Sequence, residues 1–224
     1  MTEQLVFDLP ADTAFGRDDF FVSDANARAV AQLEDWQNWP LGKLLLTGPK
    51  GSGKSHLAQI WAEAAGAGRI RAADLSADDV ARLAETGAAV EDVPDAPAAA
   101  QEALFHLHNL CAANSRPLLL TGRGEAPRWS LGLADLNSRI AAALAVGVGA
   151  PDDHLLHALF IKLFNDRQLR VSPRVLRQLL LRSERSFAFV VDLVDILDKQ
   201  ALARGSSVTH ALVSDVLAQM EGNS

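Results

Sequence analysis

The sequence predicts an α/β protein: a parallel sheet with crossover helices and a phosphate-binding loop at one strand end, followed by a small all-helical unit. Three observations carry this. The apolar run Leu44 to Leu46 enters the pattern G-x-x-x-x-G-K-[ST], filled by Gly48, Gly53, Lys54 and Ser55. Strand-like and helical stretches alternate from about Asn26 to Val148. After Pro151 the pattern is helical only.

In chain order, Leu44 to Leu46 reads as a buried strand and Ser55 to Ala65 as the helix behind the loop. Ser76 followed by Asp78 and Asp79 marks the start of a short helix. Ala88 to Val90 is a short alanine-rich strand, Pro97 to Asn114 a longer helix, and Pro117 to Thr121 a second buried strand. Further helices begin near Asp152, Pro173, Glu184 and Thr209, each with a polar cap or a proline in its first turn. The run from Gly147 to Pro151 separates the two halves, giving an expected division into a segment 1–12, a core 13–150 and a helical unit 151–224.

The chain has 224 residues with 21 Lys plus Arg against 28 Asp plus Glu, a formal charge of −7. That balance argues against a large sequence-independent grip on nucleic acid. Cys111 is the one cysteine, in an apolar helical stretch, which predicts a packing role and a reducing compartment. The start has no basic region ahead of an apolar run, and no long apolar run follows, so a cytoplasmic location is expected.

The loop from Gly48 through Pro49, Lys50, Gly51, Ser52, Gly53, Lys54, Ser55 and His56 has the chemistry of a nucleotide site. Its glycines let successive backbone N–H groups turn inward on phosphate oxygens, and Lys54 adds a positive charge. Ser55 is the expected Mg²⁺ ligand. Phosphoryl chemistry also needs carboxylates at the end of a second strand, and Glu91 and Asp92 are the candidates: Glu91 for the metal, Asp92 for an attacking water. The plainer reading of that pair is a solvated acidic turn before Pro94.

Leu131 to Arg139, LGLADLNSR, resembles the box that carries the arginine finger in DnaA and in its shortened relatives. Val191 to Asp198, with Thr209 to Leu217, resembles the lid of the same proteins. With the P-loop, the resemblance to the DnaA-related AAA+ family covers nearly the whole chain. Two features point to the Hda branch. With its last residue at Ser224, the chain is expected to lack the DNA-binding domain that follows in DnaA. Gln4-Leu5-Val6-Phe7-Asp8-Leu9-Pro10 is similar to a sliding-clamp-binding motif, with Leu5, Phe7 or Leu9 entering an apolar groove and Gln4 fixing register. The plainer reading of that segment is an apolar tail folded on its own core.

What the resemblance implies is a clamp-tethered inhibitor of replication initiation that holds ADP or ATP with Mg²⁺. It would present Arg139 to the ATP of DnaA and provoke its hydrolysis, meeting DNA only through the DNA polymerase III sliding clamp. Asp135 is expected to cap the helix bearing Arg139. Phe21 and Val22 stand where the family cradles adenine and are equally explained as core. The chain departs from the family at Arg123, in place of a small acidic or amide side chain near the γ-phosphate, and at Ala188, in place of a nucleotide-sensing arginine. Arg185, one helical turn earlier, is the substitute. Glu91 also replaces a more usual aspartate. Weak intrinsic ATPase activity is therefore expected.

Other readings stay open: a helicase-loader-like DNA-associated ATPase, a small-molecule kinase, or an adaptor with a vestigial nucleotide site. A homodimer also stays open, since an outward arginine needs a facing site. Asp152, Asp153, His154 and His157 read as a helix start rather than a metal site. His106 and His108 are two apart on a helix and point apart. The arginines from Arg167 to Arg185 read chiefly as a solvated face.

Overall fold

Residues 21–221 are described by the structure, a computed structural model. Among them, five parallel strands form one sheet in the order β2-β3-β4-β1-β5. These are β1 (Lys43–Thr47), β2 (Gly68–Arg71), β3 (Ala88–Glu91), β4 (Leu118–Gly122) and β5 (Leu144–Gly147). Central β1 pairs with β4 from Lys43↔Leu118 to Thr47↔Gly122, and with β5 from Leu44↔Leu144 to Thr47↔Gly147. Every side chain of β3 and β4 is buried, as strands covered by helices on both faces must be.

The crossovers are α2 (Lys54–Ala65), α3 (Ala77–Thr86), α4 (Ala98–Ala113) and α5 (Ala134–Ala141), with α1 (Ala27–Glu34) ahead of β1. At the start of α3, the Ser76 N–H and hydroxyl both donate to the Asp79 carboxylate, at 3.2 and 2.7 Å. On one face of the sheet α3 and α4 bury Leu83, Leu104 and Leu107 against Val90, Leu118 and Leu120. On the other, α1 and α2 bury Leu33, Leu57 and Trp61 against Leu44, Leu46 and Leu119. Trp39 stacks on Trp61 with ring centroids 5.2 Å apart. Cys111 lies in the first of these cores, where burial pushes its thiol up to about 11, as a packing residue would be.

Four helices follow: α6 (Asp153–Asp166), α7 (Pro173–Arg182), α8 (Phe187–Arg204) and α9 (His210–Glu221). They enclose their own apolar cluster of Phe160, Phe164, Leu179, Leu193, Leu197 and Val213. Asp152 caps α6 by accepting the Leu155 N–H at 2.8 Å, and Ser172 and Ser186 cap α7 and α8. No helix among the described residues is long and apolar enough to cross a membrane.

Two strands lie outside the sequence pattern. β2, Gly-Arg-Ile-Arg, and β5, Leu-Ala-Val-Gly, are the edges of the sheet and alternate or mix exposure, so neither forms an apolar run. The expected cap of α5 also falls elsewhere. Leu133 occupies the cap position without a side-chain bond, and Asp135 sits in the first turn, where its carboxylate faces the positive helix end.

Candidate nucleotide site and a distant arginine

The loop Gly48–Gly53 connects β1 to α2 at the C-terminal end of the sheet, beside the ends of β3 and β4. Gly51 (φ 72°) and Gly53 (φ 93°) hold left-handed conformations that a side chain would strain. Lys54, only 7 % exposed, folds back so that its Nζ donates to the carbonyls of Gly48 at 3.0 Å and Pro49 at 2.7 Å. Burial lowers the Lys54 pKa, the Asp92 charge opposes that fall, and Arg123 adds to it. Asp92 and Arg123 therefore both act on the loop lysine, from the ends of β3 and β4. Ser55 and His56 are exposed on the first turn of α2, where the helix end favours anions.

The two carboxylates at the end of β3 diverge. Glu91 is buried and pairs with Arg69 on β2 at 3.3 Å. Asp92 adopts φ 56°, and its N–H donates to Thr121 Oγ1 at 3.3 Å, which locks the turn against β4. The left-handed turn thus sends one carboxylate towards the sheet edge and leaves the other to act on Lys54.

The start of α8 rests on the loop. The Phe187 N–H donates to the Gly51 carbonyl at 2.7 Å, and a Cβ built on Gly51 would fall within 3.0 Å of Ser186 Oγ. The Phe187 ring approaches to 3.1 Å of the place a Gly53 Cβ would take. Ser186 and Phe187 are parts of the site that the sequence pattern did not single out. Neighbouring Arg185 turns away, pairing with Asp153 at 2.8 Å, and Ala188 is exposed on α8. Val22 packs into the core of α1 and α2, and the Phe21 carbonyl accepts from Asn26 Nδ2 at 2.9 Å. Gln4, Leu5, Phe7 and Leu9 lie outside the described residues.

Arg139 is elsewhere. It lies in the last turn of α5, exposed, with its guanidinium 4.9 Å from the Phe105 ring centroid and its charge acting on Lys43, the first residue of β1. The loop follows the last residue of that strand, so about 16 Å of extended chain separates the two levels. The arginine is out of reach of its own loop.

Among the described residues no group of three or more His, Cys, Asp or Glu side chains stands ready for a metal. A Mg²⁺ ion would therefore need the phosphates it accompanies, which fits Ser55 at the head of α2. The glycine-rich loop with its buried lysine fits a polyphosphate.

No family model and no curated protein sequence matches the chain. Solved structures do. Domain III of the Thermotoga maritima replication initiation protein DnaA superposes with a TM-score of 0.78 at 16 % identity, over 94 % of this chain and 98 % of that one. AMPPCP-bound DnaA from Aquifex aeolicus gives 0.65 at 16 % identity, covering 85 % of this chain and 68 % of that one. The Thermotoga maritima RuvB Holliday junction branch migration motor gives 0.66 at 15 %, covering 87 % and 68 %. The fold is that of the AAA+ proteins. More particularly, it is the form of that fold found in domain III of DnaA.

Proposed function

We propose that this protein binds an adenine nucleotide at the loop Gly48–His56 and acts as a negative regulator of replication initiation. Tethered to the DNA polymerase sliding clamp by Gln4, Leu5, Phe7 and Leu9, it presents Arg139 to the ATP of a DnaA-type initiator and accelerates its hydrolysis. The observation that carries this reading is the position of Arg139: exposed, and at the opposite end of the sheet from the loop. An arginine that cannot serve its own nucleotide is available to a neighbour's. Phosphoryl transfer spreads charge over the γ-phosphate oxygens, and a guanidinium delivered in trans is worth about 10³ to 10⁵ in rate.

Nucleotide binding is supported by the glycine-rich loop, by Lys54, and by the DnaA neighbours solved with AMPPCP, one of them also with single-stranded DNA. Lys54 would hold terminal phosphate oxygens and Ser55 the Mg²⁺ ion. Asp92 is the carboxylate to order a water; Glu91 reaches a metal only by leaving Arg69. Arg185 approaches the phosphates only by leaving Asp153. On this reading residues 1–12 bind the clamp, 13–150 form the AAA+ core and 151–224 the lid, in a cytoplasmic protein.

A second reading, an adaptor whose nucleotide site is vestigial, is favoured by Ser186 and Phe187 lying directly on Gly51 and Gly53. The deciding experiment loads purified initiator with γ-labelled ATP, adds DNA-loaded clamp and this protein, and follows phosphate release. Acceleration that needs the clamp is expected. No acceleration, while this protein still binds the clamp, overturns the proposal in favour of the adaptor.

A further inference from the structure

At the end of the sheet remote from the loop, a cavity of about 610 Å³ opens between the segment leading into β1, the C-terminal part of α4 and the end of α5. Its size is that of a small-molecule site. Lys43, Arg116 and Arg139 converge on it, and no carboxylate among the described residues lines it. Lys43 is only 5 % exposed, and its Nζ lies 3.5 Å from Nδ1 of His108. Burial lowers the Lys43 pKa and the nearby Arg139 lowers it further. Burial first, and then Lys43 and Arg139, push His108 down to about 4, so its neutral ring accepts a hydrogen from the lysine and orients it. Lys43 thus sits in an enclosed place beside a neutral partner, an arrangement in which an incoming anion favours its charged form.

The opposite wall is apolar. Trp36 is half-buried there, and Leu41 stands 70 % exposed at the rim with φ 56°. A leucine held in a left-handed conformation with its side chain in water is strained, and such residues gather at binding sites.

We propose that this cavity binds a nucleotide-sized small molecule carrying a phosphate or carboxylate group on an apolar or aromatic body. The anionic group meets Lys43, Arg116 and Arg139, and the body lies against Trp36 and Leu41. The site goes beyond the trans arginine reading, in which Lys43 and Arg116 have no part. The two share Arg139, which an anion bound here would engage.

The test uses the full chain carrying Lys54→Ala, so that the phosphate loop does not respond, and follows tryptophan fluorescence and thermal denaturation. The probes are phenyl phosphate and phthalate, with inorganic pyrophosphate and matched sodium chloride beside them. A saturable response to phenyl phosphate or phthalate, tighter than that to pyrophosphate, is expected, and whichever probe binds more tightly identifies the anionic group. Arg116→Ala and Lys43→Met should each weaken it about tenfold or more, as loss of a charge-assisted bond does. Absence of a saturable response to both organic probes overturns the proposal. So does a response that Arg116→Ala leaves unchanged; Arg116 is exposed, so that variant decides even if the Lys43 variant does not fold.

Discussion

On the proposed reading, nucleotide binding turns on Lys54. Its ammonium is held by two loop carbonyls and would exchange them for phosphate oxygens. Charge-assisted hydrogen bonds contribute about 1.5–3 kcal/mol each, so Lys54→Ala should weaken ADP binding about 10- to 100-fold by titration calorimetry. Unchanged affinity would remove the loop from the site. His108 makes a separate prediction at the far end of the sheet. Its pKa is near 4 in the fold, depressed by burial and by Lys43 and Arg139, against 6.5 for the free side chain. Between those values the unfolded chain binds more protons. The contribution is therefore complete above pH 6.5 and is lost as pH falls towards 4. A shift of that size corresponds to about 3 kcal/mol. His108→Gln should flatten denaturant-derived stability between pH 7 and 4; a limb as steep as the parent's contradicts this. The sequence showed that His106 and His108 face apart. It did not show Lys43 beneath His108, because that pairing spans 65 residues.

At the level of elements, the contact between α8 and the loop is the most consequential. Gly51 combines a left-handed backbone with Ser186 where its Cβ would go. Gly51→Ala should therefore push the start of α8 away and lower stability by about 1–3 kcal/mol, with faster amide exchange at Phe187 as the signature. Exchange as slow as in the parent would mean that α8 does not depend on this contact. The central elements were legible because they are extreme: a glycine-rich turn between an apolar strand and a helix, and helices with serine, aspartate or proline at their starts. The edge strands were not. β2 offers a glycine and two arginines, residue types that fit poorly on a half-buried pleat, and only pairing with β3 makes it a strand. The loop residues were legible from spacing alone, whereas the divergence of Glu91 from Asp92 depends on one left-handed residue that no pattern announces.

For the molecule as a whole, the sheet keeps two charged regions apart, the loop at one end and Arg139 with Lys43 at the other. On the proposed reading, Arg123 acting on Lys54 and Ala188 exposed on α8 leave little to polarise a γ-phosphate in cis. Steady-state hydrolysis by the protein alone should stay below about 0.1 per second, on the scale of phosphoryl transfer without a supplied arginine. Turnover of several per second would show that the site completes itself. The cavity is a property of this scale too: three segments far apart in sequence build it, so no window of residues reveals it.

The most direct measurement compares single-turnover ATP hydrolysis on a DnaA-type initiator in the presence of the parent protein, Arg139→Ala and Arg139→Lys, at concentrations where all three bind the clamp equally. If Arg139 acts in trans, Arg139→Ala abolishes the acceleration. Arg139→Lys should restore only a small part of it, because a point charge does not replace a planar, multidentate guanidinium. Parent-like acceleration by Arg139→Ala would contradict that trans role.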